Sequence, residues 1–317
     1  SPAKRETNTM PQWAGSCWYY LRYEDPKNDK ALVDKEKEKY WSPIDLYVGG
    51  AEHATRHLIY ARFWHKFLFD IGAVNYPEPF TRLQNVGLIL AEDGRKMSKR
   101  WGNVINPDDV VMEYGADAMR LYEMFMGPFD QPCAWSTNGV IGCRRFLEKV
   151  WYLQEKVDNN VTNAPKLITL LHQTIKKVSE DILAMRYNTA IAKMMELVNE
   201  LNKEEKINKD NYLLLIKILS PFAPHITEEI WSKLGDGGSI FASSWPQYDA
   251  ELAKDSEITL VIQVNGKVRD HLVVSPNISE DEAKKMALGS EMVQKWLEGK
   301  EPKKVIYVKG KLVSIVV

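Results

Sequence analysis

The chain has little cysteine. Cys17, Cys133 and Cys143 are the only three in 317 residues, odd in number, widely spaced and without a CxxC pair. That excludes a disulfide framework and a zinc ribbon, and it makes a reducing cytoplasm the expected compartment. No apolar run approaches the roughly 18 residues that span a bilayer, and the opening stretch SPAKRETNTM lacks the hydrophobic core of a secretory signal, so no membrane association is expected. Neither sign of charge prevails: 42 Lys+Arg oppose 43 Asp+Glu, a formal charge of −1. A nucleic-acid partner would therefore have to be met by local basic patches and not by a global field. Repeats and low-complexity tracts are also missing. What is present is the composition of an ordered globular chain, 44% hydrophobic with ten tryptophans. Its length fits two or three domains.

Three regions separate. From 1 to 143 short apolar runs alternate with helical stretches. DLYVGG (45–50) reads as a buried strand ending in a Gly pair, and HATRHLIYARFWHKFLFDIG (53–72) as a helix that follows at once. NVGLILA (85–91) is a second strand leading into a basic loop, after which NPDDVVMEYG opens a helix with Pro107 in its first turn and Asp108 and Asp109 suited to the dipole. This alternation predicts an α/β domain with a parallel sheet, whose ligands sit beyond the carboxyl ends of the strands. Residues 144–250 carry apolar residues three and four apart, as an all-α helical bundle requires, with a break near Arg186-Tyr187-Asn188 and another at Pro221 and Pro224. Residues 257–317 read as a small α+β module: a hairpin at Asn265-Gly266, a helix over 279–299 and two closing strands.

Two stretches carry chemistry. DGRKMSKRWGNVINPDDVV (93–111) gathers Arg95, Lys96, Lys99 and Arg100, with Arg82 further back, around Met97 and Ser98. Two lysines three apart at a strand end can aim compact ammonium groups at one polyphosphate. A basic run is also compatible with a solvated face, and it is the strand before and helix after that favour a nucleotide site. GGAEHATRH places His53 and His57 four apart on one helical face, beside Glu52. A zinc protease would need Glu directly after the first His, and Ala54 stands there. Histidines bonded within a core helix, and imidazoles donating to a carboxylate or phosphate at a helix start without a metal, both remain open.

Lys96-Met97-Ser98-Lys99-Arg100 resembles the KMSKS signature of class I aminoacyl-tRNA synthetases. The blocks MPQWAGSCWYYLRY, DLYVGGAEHATRHLIYARFWHKFL, GNVINPDDVVMEYGADAMRLYEMFMGP and LSPFAPHITEEIW resemble bacterial leucyl-tRNA synthetases in the same order. The resemblance implies the second half of a Rossmann-like parallel-sheet catalytic domain (1–143), an anticodon-stem-binding helical bundle (144–250) and a C-terminal tRNA-binding domain (257–317). It also implies activation of leucine with ATP and Mg2+, and transfer to tRNA(Leu). Lys96 and Lys99 would stabilise charge on the leaving pyrophosphate, with Lys99 the stronger choice. Ser98 would shape the loop, and Met97, Gly49, Gly50 and His53 would approach ATP. Tyr47, Glu52, His53, His57 and Trp13 would form the leucine pocket, an apolar slot bounded by Tyr47 and His57. Family members also carry an HIGH motif, and no HxGH occurs here. A HIGH-bearing N-terminal half or subunit is thus an expected partner, without which no leucyl-adenylate should form. The chain departs from the family pattern at Arg100, where Ser is usual, and at Val86, where many relatives have Gln; no editing domain is visible.

For tRNA, Arg144, Arg145 and Arg186 are candidates for phosphate contact, and equally for exposed or packing charges. Lys303, Lys304, Lys309 and Lys311 lie near strands where they could meet backbone phosphates, as the resemblance to an elbow-binding domain implies, or where edge lysines discourage aggregation. The rival readings are a non-catalytic tRNA-binding or assembly protein derived from a synthetase, and a synthetase for another aliphatic amino acid.

Overall fold

A computed structural model describes residues 3–4, 15–254 and 258–317. It divides into two compact units, Ser1–Arg145 with Ala184–Ile191, and Phe146–Leu183 with Ala192–Val317.

The first unit is mixed α/β. Helices α1 (Tyr19–Glu24) and α2 (Lys35–Trp41) precede strand β1 (Tyr47–Gly50), which turns through a short 3-10 segment into α3 (His57–Asp70). Next come β2 (Leu83–Val86), β3 (Ile89–Leu90), α4 (Pro107–Tyr114), α5 (Ala116–Phe125), β4 (Cys133–Ala134) and α6 (Thr137–Leu153). The predicted parallel pairing is present in small pieces: β1 runs beside β2, with Tyr47 opposite Leu83 and Gly50 opposite Val86, and β3 runs beside β4. The stretch expected as one strand over 85–91 is divided at Gly87, because the neighbouring chain crosses it. Gly87 N–H donates to the Phe129 carbonyl at 3.0 Å, and a Cβ here would collide with the Gln131 carbonyl. Tyr20, Leu21, Ala61, Leu68 and Val74 form a core that fixes α3 against α1. Asn106 caps α4 through its side chain, with Pro107 at the first helical position as expected.

In the second unit β5 (Val157–Asp158) pairs with β6 (Ile207–Asn208), and α7 (Pro165–Leu183), α8 (Tyr187–Leu201), α9 (Lys209–Leu219) and α10 (Pro224–Leu234) supply the helices. Met185 takes a left-handed φ of 54°, which separates α7 from α8 where the sequence predicts a break. Pro224 opens α10. The helices bury Leu171, Ile175, Leu197, Tyr212 and Leu215, and the Tyr212 hydroxyl is satisfied by the Val150 carbonyl at 2.7 Å.

Strands β7 (Ile258–Val264), β8 (Lys267–Val274), β9 (Lys304–Val308) and β10 (Leu312–Val316) form one sheet in the order β8-β7-β10-β9, with α11 (Glu280–Gly289) and α12 (Glu291–Leu297) packed on it. Leu260, Ile262, Ala283, Val293, Val313 and Ile315 give it a core of its own. Asn265 and Gly266 both take positive φ, 50° and 76°, the backbone that a two-residue hairpin needs to match strand twist. The single helix expected over 279–299 is two, because the Ser290 side chain caps α12 and also bonds Asp270.

Two alanine substitutions separate close approach from helix propensity. Gly87→Ala should destabilise the chain by about 1–3 kcal/mol through overpacking. Gly142→Ala, on α6 where a Cβ meets nothing, should stabilise it by up to about 1 kcal/mol. Urea unfolding of the three chains checks both signs.

Candidate active site

The Gly pair ends β1 and is enclosed by the side chains that the sequence singles out. A Cβ on Gly49 would rest 3.4 Å from the Tyr47 ring with His53 beyond it, and one on Gly50 would collide with the Glu52 carboxylate, which folds back over the backbone. Tyr47, Glu52, His53 and His57 are therefore gathered around one strand end. Trp13 lies outside the described residues.

His57 is buried and its ring is held from both sides. Nε2 meets the Ser16 carbonyl at 2.7 Å and Nδ1 meets the Tyr47 hydroxyl at 2.8 Å, while the two rings stack at 12°. A carbonyl only accepts, so Nε2 carries a proton; in the neutral ring Nδ1 then accepts from Tyr47. Burial, with a smaller push from Tyr19, raises the Tyr47 phenol above its ordinary range and keeps it a donor. Both nitrogens are spent on protein, and only ring carbons remain for a ligand. A cleft of ≈ 340 Å³ opens beside Tyr47, lined by Leu58, Ile59, Phe80 and Leu83 with Arg62 and Glu78. His57 is not among its lining residues, so this cleft is not the slot expected between Tyr47 and His57.

Further along α3, His65 repeats the arrangement. Tyr20 O–H meets its Nδ1 at 2.8 Å and Nε2 meets the Tyr76 carbonyl at 3.0 Å. This histidine has no expected role in the site, and the tyrosine eight residues before Asn28 gave no local sign of the pairing, which joins positions 45 apart.

The basic loop leaves β3 and is tied at its base: the Glu92 carboxylate accepts from the Thr137 amide at 3.1 Å and hydroxyl at 2.9 Å, at the start of α6. Its four central cations divide into two kinds. Arg95 is held by Asp93 in an ion pair of 2.6 Å and lies 4.9 Å from the Trp101 ring centre, and Arg100 lies over the same ring at 5.6 Å. Lys96 and Lys99 are exposed, and among the described residues neither ammonium has a hydrogen-bond or ion-pair partner. Met97 and Ser98 between them are half-buried; the Ser98 hydroxyl accepts from Arg100 N–H at 3.2 Å, its amide donates to Asn103 Oδ1 at 2.9 Å, and Asn103 Nδ2 reaches the Lys96 carbonyl at 3.5 Å. Asn103 and Trp101 are residues that sequence reasoning left without a role. Their only signal is position, directly behind the lysines.

The tRNA candidates scatter. Arg144 and Arg145 are both exposed, and Arg144 donates to the Tyr114 carbonyl at 3.2 Å at the end of α4. Lys303 and Lys304 sit where edge strand β9 begins and Lys309 and Lys311 at the turn where it ends, all exposed. The two pairs are thus about 16 Å apart and do not form one cluster.

Comparison with known proteins agrees with this architecture. Residues 4–135 match the family described as tRNA synthetases class I (I, L, M and V), and residues 165–284 match the anticodon-binding domain of tRNA ligase. The two matched segments lie in that order along the chain and do not overlap. Among solved structures it is similar to a leucyl-tRNA synthetase, agnB2 LeuRS of Agrobacterium radiobacter K84, in a ternary complex with tRNA and LeuAMS. The identity is 32%, with a TM-score of 0.80 over 98% of this chain and 43% of that one. The chain thus spans less than half the length of that protein.

His65 on α3 makes a pH prediction. Burial pushes the His65 pKa below the ordinary value, so the unfolded chain binds the extra proton. The stability gained from a neutral ring is complete above the unfolded pKa of about 6.5 and is lost as pH falls through it toward the folded value. The urea midpoint should drop between pH 7 and pH 5. His172 is shifted the same way, so the test is the contrast: His65→Gln should show a shallower drop, and an equal slope in both chains contradicts the assignment.

Proposed function

We propose that this chain is the KMSKS-bearing and tRNA-binding part of a leucine-tRNA ligase of the cytoplasm, and that it works with a HIGH-bearing N-terminal half or subunit. In the first step a leucine carboxylate oxygen attacks the α-phosphorus of ATP, a new P–O bond forms, and the bond to pyrophosphate breaks with its electron pair. Lys96 and Lys99 meet the negative charge that builds on the departing group, and Mg2+ travels with the nucleotide phosphates. Gly49 and Gly50 allow close approach of adenosine at the end of β1. Tyr47, Glu52 and His53 face the amino acid, and His57 contributes ring carbons while holding Tyr47. In the second step a ribose hydroxyl at the end of tRNA(Leu) attacks the leucyl carbonyl carbon and loses its proton, an ester bond forms, and the anhydride bond breaks with its electron pair leaving on AMP. The anticodon-binding helices and the C-terminal sheet hold the tRNA.

The observation that supports this reading is the state of the loop. All four central cations are exposed, but the two arginines are paired with Asp93 or lie over the Trp101 ring, whereas among the described residues the two lysines of the KMSKS-type sequence have no hydrogen-bond or ion-pair partner. A loop that served only as a solvated face would have no reason to separate them in this way. Leucine over other aliphatic amino acids is supported by the likeness to a leucyl-tRNA synthetase.

In the enzyme completed with its HIGH-bearing half, Lys99→Ala should lower leucine-dependent ATP-pyrophosphate exchange on the order of a hundredfold, the usual cost of losing one transition-state stabiliser. Exchange at the wild-type rate would sink the reading, as would robust exchange by this chain alone. Deleting residues 257–317 should weaken tRNA(Leu) binding, with a shallower salt dependence because phosphate contacts are lost. Affinity and salt slope both unchanged would remove the C-terminal sheet from the tRNA-binding surface.

A further inference from the structure

Nothing so far explains how an exposed loop keeps two long, flexible side chains in a usable arrangement. Four hydrogen bonds around the turn bear on this. Trp101 N–H donates to the Ser98 carbonyl at 3.0 Å and Gly102 N–H to the Lys99 carbonyl at 3.3 Å, with Gly102 in the left-handed region at φ 62°. These two bonds close the turn that carries Lys99. They leave Lys96 outside it, where its backbone forms an isolated antiparallel bridge with Leu90 and the Ala91 amide donates to the Arg95 carbonyl at 2.8 Å, so the strand side of the loop is held while the side facing the turn is not. The remaining two come from one side chain: Asn103 accepts from Ser98 N–H at 2.9 Å and donates to the Lys96 carbonyl at 3.5 Å. Asn103 is itself half-buried, unlike the cations it serves. A carboxamide is suited to this task because it offers an acceptor and a donor in one rigid plane, so a single residue can bind an amide and a carbonyl two positions apart.

We propose that Asn103 is a positioning residue for adenylate formation: its side-chain amide ties the Lys96 carbonyl to the Ser98 amide and so fixes the backbone from which both ammonium groups project. It touches no reactant in this account and acts only through the lysines. The inference rests on the proposed function of the loop and adds to it a residue outside the KMSKS-type pentapeptide. Trp101 complements it, because Arg95 and Arg100 both lie over its ring and neither lysine does.

The test has two arms. In the completed enzyme, Asn103→Ala should lower the kcat of ATP-pyrophosphate exchange by about tenfold to a hundredfold, the size of effect a small misplacement of a reacting geometry produces, with the KM for leucine unchanged. In a Lys96→Ala background the same substitution should have a much smaller effect, because the ammonium group whose backbone it holds is already gone. A purely structural role would add its full cost in both backgrounds. The second arm uses the full chain by itself: trypsin cleavage after Lys96 and Lys99, mapped by mass spectrometry, should accelerate in Asn103→Ala, while cleavage after Lys267 in the C-terminal hairpin stays at the wild-type rate. Thermal unfolding controls for global damage, and Asn103→Ser carries the same comparisons should the alanine chain not fold. Exchange lost in Lys99→Ala but retained in Asn103→Ala overturns this inference alone, as does a loop whose cleavage rate does not change. Exchange that survives Lys99→Ala overturns the reading of the loop and the inference with it.

Discussion

One buried imidazole holds the candidate site together. His57 lies on α3, its Nδ1 partner Tyr47 is the first residue of β1, and its Nε2 partner is the Ser16 carbonyl in the segment before α1. Two hydrogen bonds thus fasten a strand, a helix and an incoming chain. The cost of breaking either is larger than the bond itself, because a buried donor or acceptor left without a partner loses about 1–3 kcal/mol of solvation. The Gly pair at the end of β1 has its position set by this ring, through Tyr47, and by the pairing of Gly50 with Val86 beside it.

The basic loop follows the opposite logic, with its charges sorted by chemistry. Guanidinium groups are planar and weakly hydrated, so they stack on aromatic faces and pair with carboxylates in fixed geometry. Arg95 and Arg100 do so against Trp101 and Asp93. Ammonium groups are compact and well hydrated, and an exposed one gains little from an ion pair. Lys96 and Lys99 therefore remain in water. The Arg100 that departs from the KMSKS pattern lies 5.6 Å from the centre of the neighbouring indole and stays exposed beside the lysines.

Much of this was legible in the sequence, and what was not has identifiable causes. The strand ending in a Gly pair, the capped start of α4, the break at Pro224 and the hairpin at Asn265-Gly266 are local events, dictated by residues within a turn of one another. The division of the 85–91 run at Gly87 was hidden, because its cause is a chain that arrives from Phe129–Gln131. The face of α3 that turns inward was hidden too. His57, Ala61, His65 and Leu68 are buried while Phe63 and Phe67 stay exposed, the reverse of what side-chain hydrophobicity alone selects. Tyrosine hydroxyls and backbone carbonyls from distant positions make those histidines acceptable inside, and no periodicity reports such partners. For the site, residue types drew attention to the side chains that lie around Gly49-Gly50, but not to the commitment of both nitrogens of His57 to protein.

The two kinds of restraint suit two different tasks. The His57 tie is buried, uses two polar partners and sits between regular elements, so local opening there disturbs the packing of α3. The Asn103 tie is a pair of neutral hydrogen bonds at the edge of an exposed turn, one of them at 3.5 Å. A neutral bond that water can replace contributes only about 0.5–1.5 kcal/mol net, so releasing and remaking this one changes the population of the held loop by roughly a factor of ten or less. A surface that receives an adenosine has to be present before the ligand. A loop that meets charge as it develops has to be both ordered enough to place two cations and weakly enough tethered to adjust when a polyphosphate enters. The proposed division of labour therefore follows from bond strength and burial: the strand end is fixed by groups that cannot afford to lose their partners, and the loop by a group that can.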